Sequence, residues 1–299
     1  MKLSDFQTLT PIDYGWSGDK KFRAVTADGT PYFLRITSRE RGDRFVKLFD
    51  LQKAVAATGI PMCKPVAIGE CDEGIYAIHT WIDGTDAESA VSVLPPEEQY
   101  RLGWDAGQYL TRIHSIPAPP DQPDWAPRFN AKIDRKIKMY ADCPIHFDGA
   151  HHLLRYIEEN RHLLHDRPQT FQHGDYHIGN MMLTREGGTP QIVVIDFDRY
   201  DYGDPWEEFN RIVWCAQAAP RFATGMVDGY FGVNEQTAVP MDFWRLLALY
   251  ISSNMLSSIP WAIPFGEGEI QTMMNQARDV LSWYDNMKNP VPMWYEPRQ

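Results

Sequence analysis

The rhythm of apolar and polar positions changes near residue 84. Residues 12–36 read as a hairpin: Phe22 to Thr26 alternate weakly, Asp28-Gly29 suits a tight turn, and Tyr32-Phe33-Leu34-Arg35-Ile36 is rich in strand formers. Residues 45–57 switch to helical spacing, with Phe45, Leu48, Phe49, Leu51 and Val55 on one stripe, closed by Gly59-Ile60-Pro61. Two more strand-like runs follow, 61–69 and 74–82, and the second runs into Asp83-Gly84. From Pro95 onward helical patterns dominate: 97–114 carries Leu102, Ala106, Tyr109, Leu110 and Ile113 at helical spacing, and 132–140 and 151–164 predict further helices. Residues 242–258 are apolar almost all round, which predicts a buried helix, and 270–287 predicts a last one. Inside this helical region a pair of short apolar runs, one ending at Leu183 and the other beginning at Ile192, flanks Thr-Arg-Glu-Gly-Gly-Thr-Pro and predicts a second hairpin.

That hairpin carries the chemistry. It is preceded by Gln172-His173-Gly174-Asp175-Tyr176-His177-Ile178-Gly179-Asn180, and its second strand ends in Asp196-Phe197-Asp198. An Asp that can accept a hydroxyl proton, an Asn five residues on and an Asp at a strand end form the pattern that phosphoryl transfer uses. Such a reaction asks the protein for positioning and charge neutralisation more than for covalent chemistry. Magnesium prefers oxygen donors and takes one or two carboxylates beside phosphate oxygens, so Asn180 and Asp196 are candidate metal ligands and Asp175 the candidate base. Read blandly, His173 and Asp175 are turn formers and Asp196 a strand-end residue, but the two halves in this order argue against it.

Composition sets the bounds. At 299 residues the chain is long enough for one large or two ordinary domains. A net charge of −11 argues against nucleic-acid binding, which wants clustered Lys and Arg. The acidity suits a cationic substrate, although it serves plain solubility equally. Four scattered cysteines without a Cys-x-x-Cys pair suggest reduced thiols rather than disulfides or zinc. No apolar leader opens the chain and no run reaches membrane-spanning length, so the expectation is a cytoplasmic protein that needs neither a membrane nor an obligate protein partner. His151, His152, His162 and His165 lack the companions of a metal set and read as a surface or capping cluster.

With H-G-D-x-H-x-x-N followed by D-F-D, the chain resembles the aminoglycoside phosphotransferase family, which also takes in choline-type and fructosamine-type small-molecule kinases. The resemblance runs nearly end to end and is specific over residues 172–210. It implies an α+β, bilobal, protein-kinase-like fold with a small β-rich lobe at 1–83 and a mostly helical lobe at 84–299. It also implies ATP and Mg2+ as cofactors. The catalytic candidates are then Asp175, His173 and Asn180, with Asn180 and Asp196 on the metal. Gly15, Ser17 and Gly18 occupy the phosphate-loop position without matching its full glycine pattern. Arg35 stands where kinases place a phosphate-holding Lys. Asp50, with Glu40 as the alternative, is the expected carboxylate partner of Arg35. Trp81 and Ile82 lie in the segment whose backbone the resemblance pairs with adenine.

Asp204, followed by Pro205 and Glu207, has an N-cap signature and reads as structural. Asp198 is open between assisting the metal and facing a cationic substrate. Glu267, Glu269 and Trp283 are further substrate candidates, as acids and a ring platform for an amine. The expected activity is transfer of the γ-phosphate of ATP to a hydroxyl of a small molecule, by family and acidity an aminoglycoside-like cation. A housekeeping kinase of an amino alcohol, sugar or fructosamine, and a non-catalytic nucleotide-binding scaffold, are the alternatives.

Overall fold

The computed structural model of the chain describes residues 1–13 and 18–297, which divide into two compact units. The first contains Met1–Ala87 and Asn180–Tyr200, the second Glu88–Gly179 and Asp201–Gln299. A cut at residue 83 would leave Asn180–Tyr200 with the helices. Backbone pairing decides otherwise: strands in this segment bond to β6 and to the Pro61–Cys63 backbone.

The first unit is built on a five-stranded antiparallel sheet. Its strands are β1 (Phe6–Pro11), β2 (Lys20–Thr26), β3 (Pro31–Thr37), β4 (Pro65–Cys71) and β5 (Gly74–Thr80), in the order β1-β2-β3-β5-β4. The β2–β3 hairpin turns at Asp28-Gly29, where Gly29 takes φ +86°, a conformation open to glycine at little cost. β1 escaped the pattern reading because five of its six residues are exposed and show no alternation. Helix α1 (Gly42–Ala57) lays Phe45 and Phe49 against Ala77 of β5, and Ala24, Leu34, Tyr76 and Ile78 fill a separate core cluster. A second, three-stranded sheet joins β6 (Thr85–Asp86), β8 (Met181–Thr184) and β9 (Gln191–Val194) in the order β6-β8-β9. Gly84 is required at its edge: a Cβ there would sit 2.8 Å from the Leu183 carbonyl oxygen.

The second unit is helical: α2 (Ala87–Ser92, starting at the unit boundary), α3 (Pro96–Ile113), α4 (Trp125–Ala141), α5 (Ala150–Asn160), α6 (Ile212–Ala218), α7 (Pro220–Phe231), α8 (Met241–Ala262) and α9 (Glu267–Trp283). A two-stranded ribbon pairs β7 (Thr170–Gln172) with β10 (Asp201–Gly203). α6, α7 and the first turns of α4 were not anticipated. α3 and α7 approach until Gly103, Gly107, Gly225 and Gly229 meet the opposite backbone, where any Cβ would lie about 2 Å from a main-chain oxygen. α8 is buried along most of its length, as its apolar circumference predicts. Among the described residues it is the one helix whose length and composition would suit a membrane, and 72% of that stretch is buried inside the protein.

Candidate active site

In the second unit, β7 delivers His173 and Asp175 into a tight loop. Gly174 adopts φ +84°, which explains the Gly after the His. His173 is fully buried, and its Nδ1 accepts the Asp175 backbone N–H at 3.3 Å, so it fixes the loop rather than presenting a reactive ring. The loop is braced from below by Glu208, only 2% exposed, whose Oε1 accepts the N–H groups of Gly174 at 2.9 Å and Tyr176 at 3.4 Å. Cys215 Sγ takes the Ile178 N–H at 3.3 Å, and Tyr176 is locked by its hydroxyl on the Ala106 carbonyl. The Asp175 side chain lies 3.1 Å from Arg211 Nε and 3.9 Å from His177 Nε2.

Glu208 and Arg211 were not anticipated. Their signal was the run Glu207-Glu208-Phe209-Asn210-Arg211, which begins three residues after Asp204 as a tight 3-10 turn of five residues carrying three charges. Asp204 is structural, as expected, but more than a cap. Fully buried, it accepts the Trp206 N–H at 3.0 Å, Nε and Nη2 of Arg167 at 2.7 and 3.0 Å, and the Tyr250 hydroxyl at 2.6 Å. Gln172 ties this region to β7 through the Asp204 carbonyl at 2.8 Å and Glu207 at 3.2 Å.

In the first unit, the β8–β9 pairing sets Met181 opposite Val194, and the Ile195 N–H bonds the Asn180 carbonyl at 3.1 Å. Asn180 and Asp196 therefore emerge side by side at one end of the hairpin. Asp196 is exposed and left-handed, with φ 61°, a conformation uncommon outside glycine and often found at functional positions. The donor set suits a hard divalent cation: an amide oxygen and one carboxylate, with room for phosphate oxygens and water. Among the described residues no group of three or more His, Cys, Asp or Glu forms a ready cage, so a cation here would depend on its nucleotide.

Arg35 is where the expectation changes most. It is buried on β3 with its guanidinium above the Phe45 ring, and its partners are Asp198, in a bidentate pair, and Asp19. Burial opposes the charge, yet Asp198 and Asp19 outweigh it and push the Arg35 pKa up. Neither expected partner reaches it: Asp50 is exposed and bonds Lys53 at 3.0 Å, and Glu40 is exposed on a 3-10 turn. The geometry is simple. Asp50 points off the outer face of α1, opposite the Phe45–Phe49 face that meets the sheet. Asp19 also accepts Thr37 Oγ1 at 2.9 Å and Arg41 at 2.7 Å, so it knits β3 to the residues before α1.

Asp198, one of the candidates for a cationic substrate, is thus committed to Arg35. Glu267 and Glu269 lie in the first turn of α9, Glu267 exposed and Glu269 half-buried, where carboxylates complement the helix dipole; Trp283 ends the same helix, half-buried. Trp81 and Ile82 follow β5 half-buried, with Arg23 over the Trp81 ring. Gly18 is exposed, and a Cβ there would meet nothing within 4 Å among the described residues. Gly15 and Ser17 lie outside the described residues.

The sequence matches the phosphotransferase enzyme family (APH) over residues 8–244. No sequence among the curated proteins matches this chain. Among solved structures, a GDP complex of aminoglycoside 2′-phosphotransferase-IIIa aligns over 96% of this chain and 94% of its own, with a TM-score of 0.67 and 13% identity. A choline/ethanolamine kinase family protein from Mesorhizobium loti covers 96% of this chain and 92% of its own, with a TM-score of 0.66 and 16% identity. An amicoumacin kinase in complex with AMP-PNP and Ca2+ covers 97% and 91%, with a TM-score of 0.65 and 13% identity. At these identities the likeness is one of fold, and the α+β kinase-like architecture is shared. By its family match, the chain belongs to the phosphotransferase enzyme family.

Proposed function

We propose that this member of the phosphotransferase enzyme family moves the γ-phosphoryl group of ATP to a hydroxyl of a small molecule. The observation that carries the reading is the holding of Asp175: Glu208 braces the backbone N–H groups on either side of it, and Arg211 lies 3.1 Å from its carboxylate. A group held this firmly is pre-organised for one geometry, which is what proton abstraction from a bound hydroxyl requires.

In the proposed reaction the acceptor hydroxyl gives its proton to Asp175 as its oxygen forms a bond to the γ-phosphorus. The bond from that phosphorus to the bridging oxygen breaks, and ADP leaves with the electron pair. Arg211 places a positive charge 3.1 Å from the Asp175 carboxylate. Asn180 and Asp196 would hold Mg2+, which supplies charge neutralisation at the phosphates. Arg35, buried and engaged by Asp198 and Asp19, ties β3 to the segment that carries Asp196.

The residues expected to receive a cationic, aminoglycoside-like acceptor lend that class no support: Asp198 is paired with Arg35, and Glu267 and Glu269 have an ordinary place at a helix start. The test is Asp175→Ala with calorimetric ATP binding and an ADP-release assay on the acceptor. Turnover should fall by about 10²–10⁴ while ATP affinity stays within a few-fold. A variant that kept its rate would remove Asp175 from the reaction.

A further inference from the structure

The buried face of α4 carries an anomaly. Phe129, Ile133 and Tyr140 are buried at helical spacing, and Lys132 and Lys136 lie on the same stripe, one turn apart. Charged residues on a core-facing stripe are informative where apolar ones are not. Lys132 Nζ is 3.1 Å from Glu207 Oε1 and lies over the Phe129 ring. Lys136 is half-buried, and among the described residues its ammonium meets one hydrogen-bond acceptor, Asn254 Oδ1 of α8 at 3.4 Å. Asn254 is itself 8% exposed and follows the buried Ser252 and Ser253 on α8.

The charges closest to Lys136 lean one way. Among the described residues, the strongest charged influences on it are Lys132, Arg211 and Arg135 as like charges, and Glu207 as a carboxylate acting against them. Burial, then Lys132, lower its pKa to about 7. The same lysines hold Glu207 ionised: burial works against that charge, but Lys132 and Lys136 outweigh it and lower the Glu207 pKa. Arg211 closes the circle, since it also contacts Asp175. Three inward cations (Lys132, Lys136 and Arg211) thus face two carboxylates, Glu207 and Asp175, with side-chain exposures of 38% at Lys132 and 23% at Arg211. A lysine drawn partly out of water without a carboxylate of its own lowers stability, and an apolar residue of its size would remove that cost. Such groups gather at functional sites.

We infer that the Lys132–Lys136–Arg211 cluster binds an anionic oxygen group, a carboxylate or a phosphate, on the acceptor whose hydroxyl Asp175 deprotonates. This rests on the phosphotransfer reading for the acceptor's fate, but the anion site itself stands on the cluster. Lys136 supplies free N–H donors, Lys132 and Arg211 supply charge, and Asn254 orients the Lys136 ammonium. The excess positive charge lies within reach of the reacting base, so one small molecule can span both. The overall acidity of the chain, which suggested a cationic acceptor, does not extend to this face.

The experiment pairs binding with turnover. Glycerate, glycerol 3-phosphate, glycerol and ethanolamine are titrated calorimetrically into the wild-type protein, Lys136→Met and Lys136→Arg, without nucleotide. The same four compounds are then assayed for ADP release with Mg2+ and ATP. Anions should bind the wild type at least about tenfold tighter than glycerol or ethanolamine, Lys136→Met should erase that preference, and Lys136→Arg should restore most of it. The arms separate carboxylate from phosphate. Equal binding of all four compounds, or an anion preference untouched in Lys136→Met, overturns the inference whatever the ADP assay shows. Anion binding through Lys136 without ADP release from any hydroxyl compound leaves the anion site standing and overturns the phosphotransfer reading instead.

Discussion

Replacing Glu208 with leucine removes the acceptor on which the Asp175 loop rests. The carboxylate is 2% exposed and takes two backbone N–H groups, Gly174 at 2.9 Å and Tyr176 at 3.4 Å; Glu208 Oε2 is 3.7 Å from His114 Nε2, too far for a hydrogen bond. Leucine is close in volume, so cavity formation is small and the cost lies in two stranded donors. At about 1–3 kcal/mol for each buried unsatisfied group, and with the weaker bond at the low end, the loss should be about 2–5 kcal/mol. Some of it is recovered because a carboxylate no longer has to be desolvated, which brings the expected net to about 2–3 kcal/mol. Glu208→Gln keeps an oxygen in the same place and gives up only charge assistance, about 1 kcal/mol. Urea denaturation followed by fluorescence of the ten tryptophans measures both. Turnover provides the second axis, since a displacement of Asp175 by about 1 Å costs on the order of 100-fold in rate. Leu should therefore lose both stability and turnover, while Gln keeps most of each. If Leu unfolds within about 0.5 kcal/mol of the wild type, at an unchanged rate, then Glu208 does not support the loop and the reasoning fails.

Two further outcomes follow from the charged networks. Asp198→Asn should destabilise the protein by about 1–3 kcal/mol, because buried Arg35 keeps Asp19 alone as a full charge partner. In a double-mutant cycle with Arg35→Met the coupling should exceed about 1 kcal/mol, and additive effects would mean that the pair contributes nothing. Lys136→Met should raise stability at neutral pH by about 2–3 kcal/mol, after discounting for the partial exposure of the lysine. The sign is set by a folded pKa near 7 against an unfolded value of 10.5: at and below pH 7 the unfolded chain gains from protonation, and the cost fades as pH rises toward 10.5. Denaturation at several pH values should show the gap between variant and wild type closing over that window. A gap that does not depend on pH would place its origin elsewhere.

The order Asp175, Asn180, Asp196 was legible because it is local. Five residues of spacing and one short hairpin bring Asn180 beside Asp196, and β8 and β9 formed where two apolar runs flank a turn. The helical stripes of α1 and α3 and the apolar circumference of α8 were legible for the same reason, since hydrophobic periodicity is a property of a few consecutive turns. β1 was missed because an exposed edge strand carries no alternation.

What the sequence determined by itself is therefore the family, the kinase-like sequence of elements and the order Asp175, Asn180, Asp196 on which the proposed chemistry rests. Tertiary structure decided who partners whom. Arg35 meets Asp198 across 163 residues and Asp19 across 16, while Asp50, the partner that the family resemblance suggested, faces away from the sheet. Lys136 becomes an unmatched cation only when α8, the turn at Glu207 and Arg211 are folded against α4. Charge on a linear chain is a sum, whereas binding depends on the local imbalance that remains after folding has paired most charges, and that remainder is set by long-range packing.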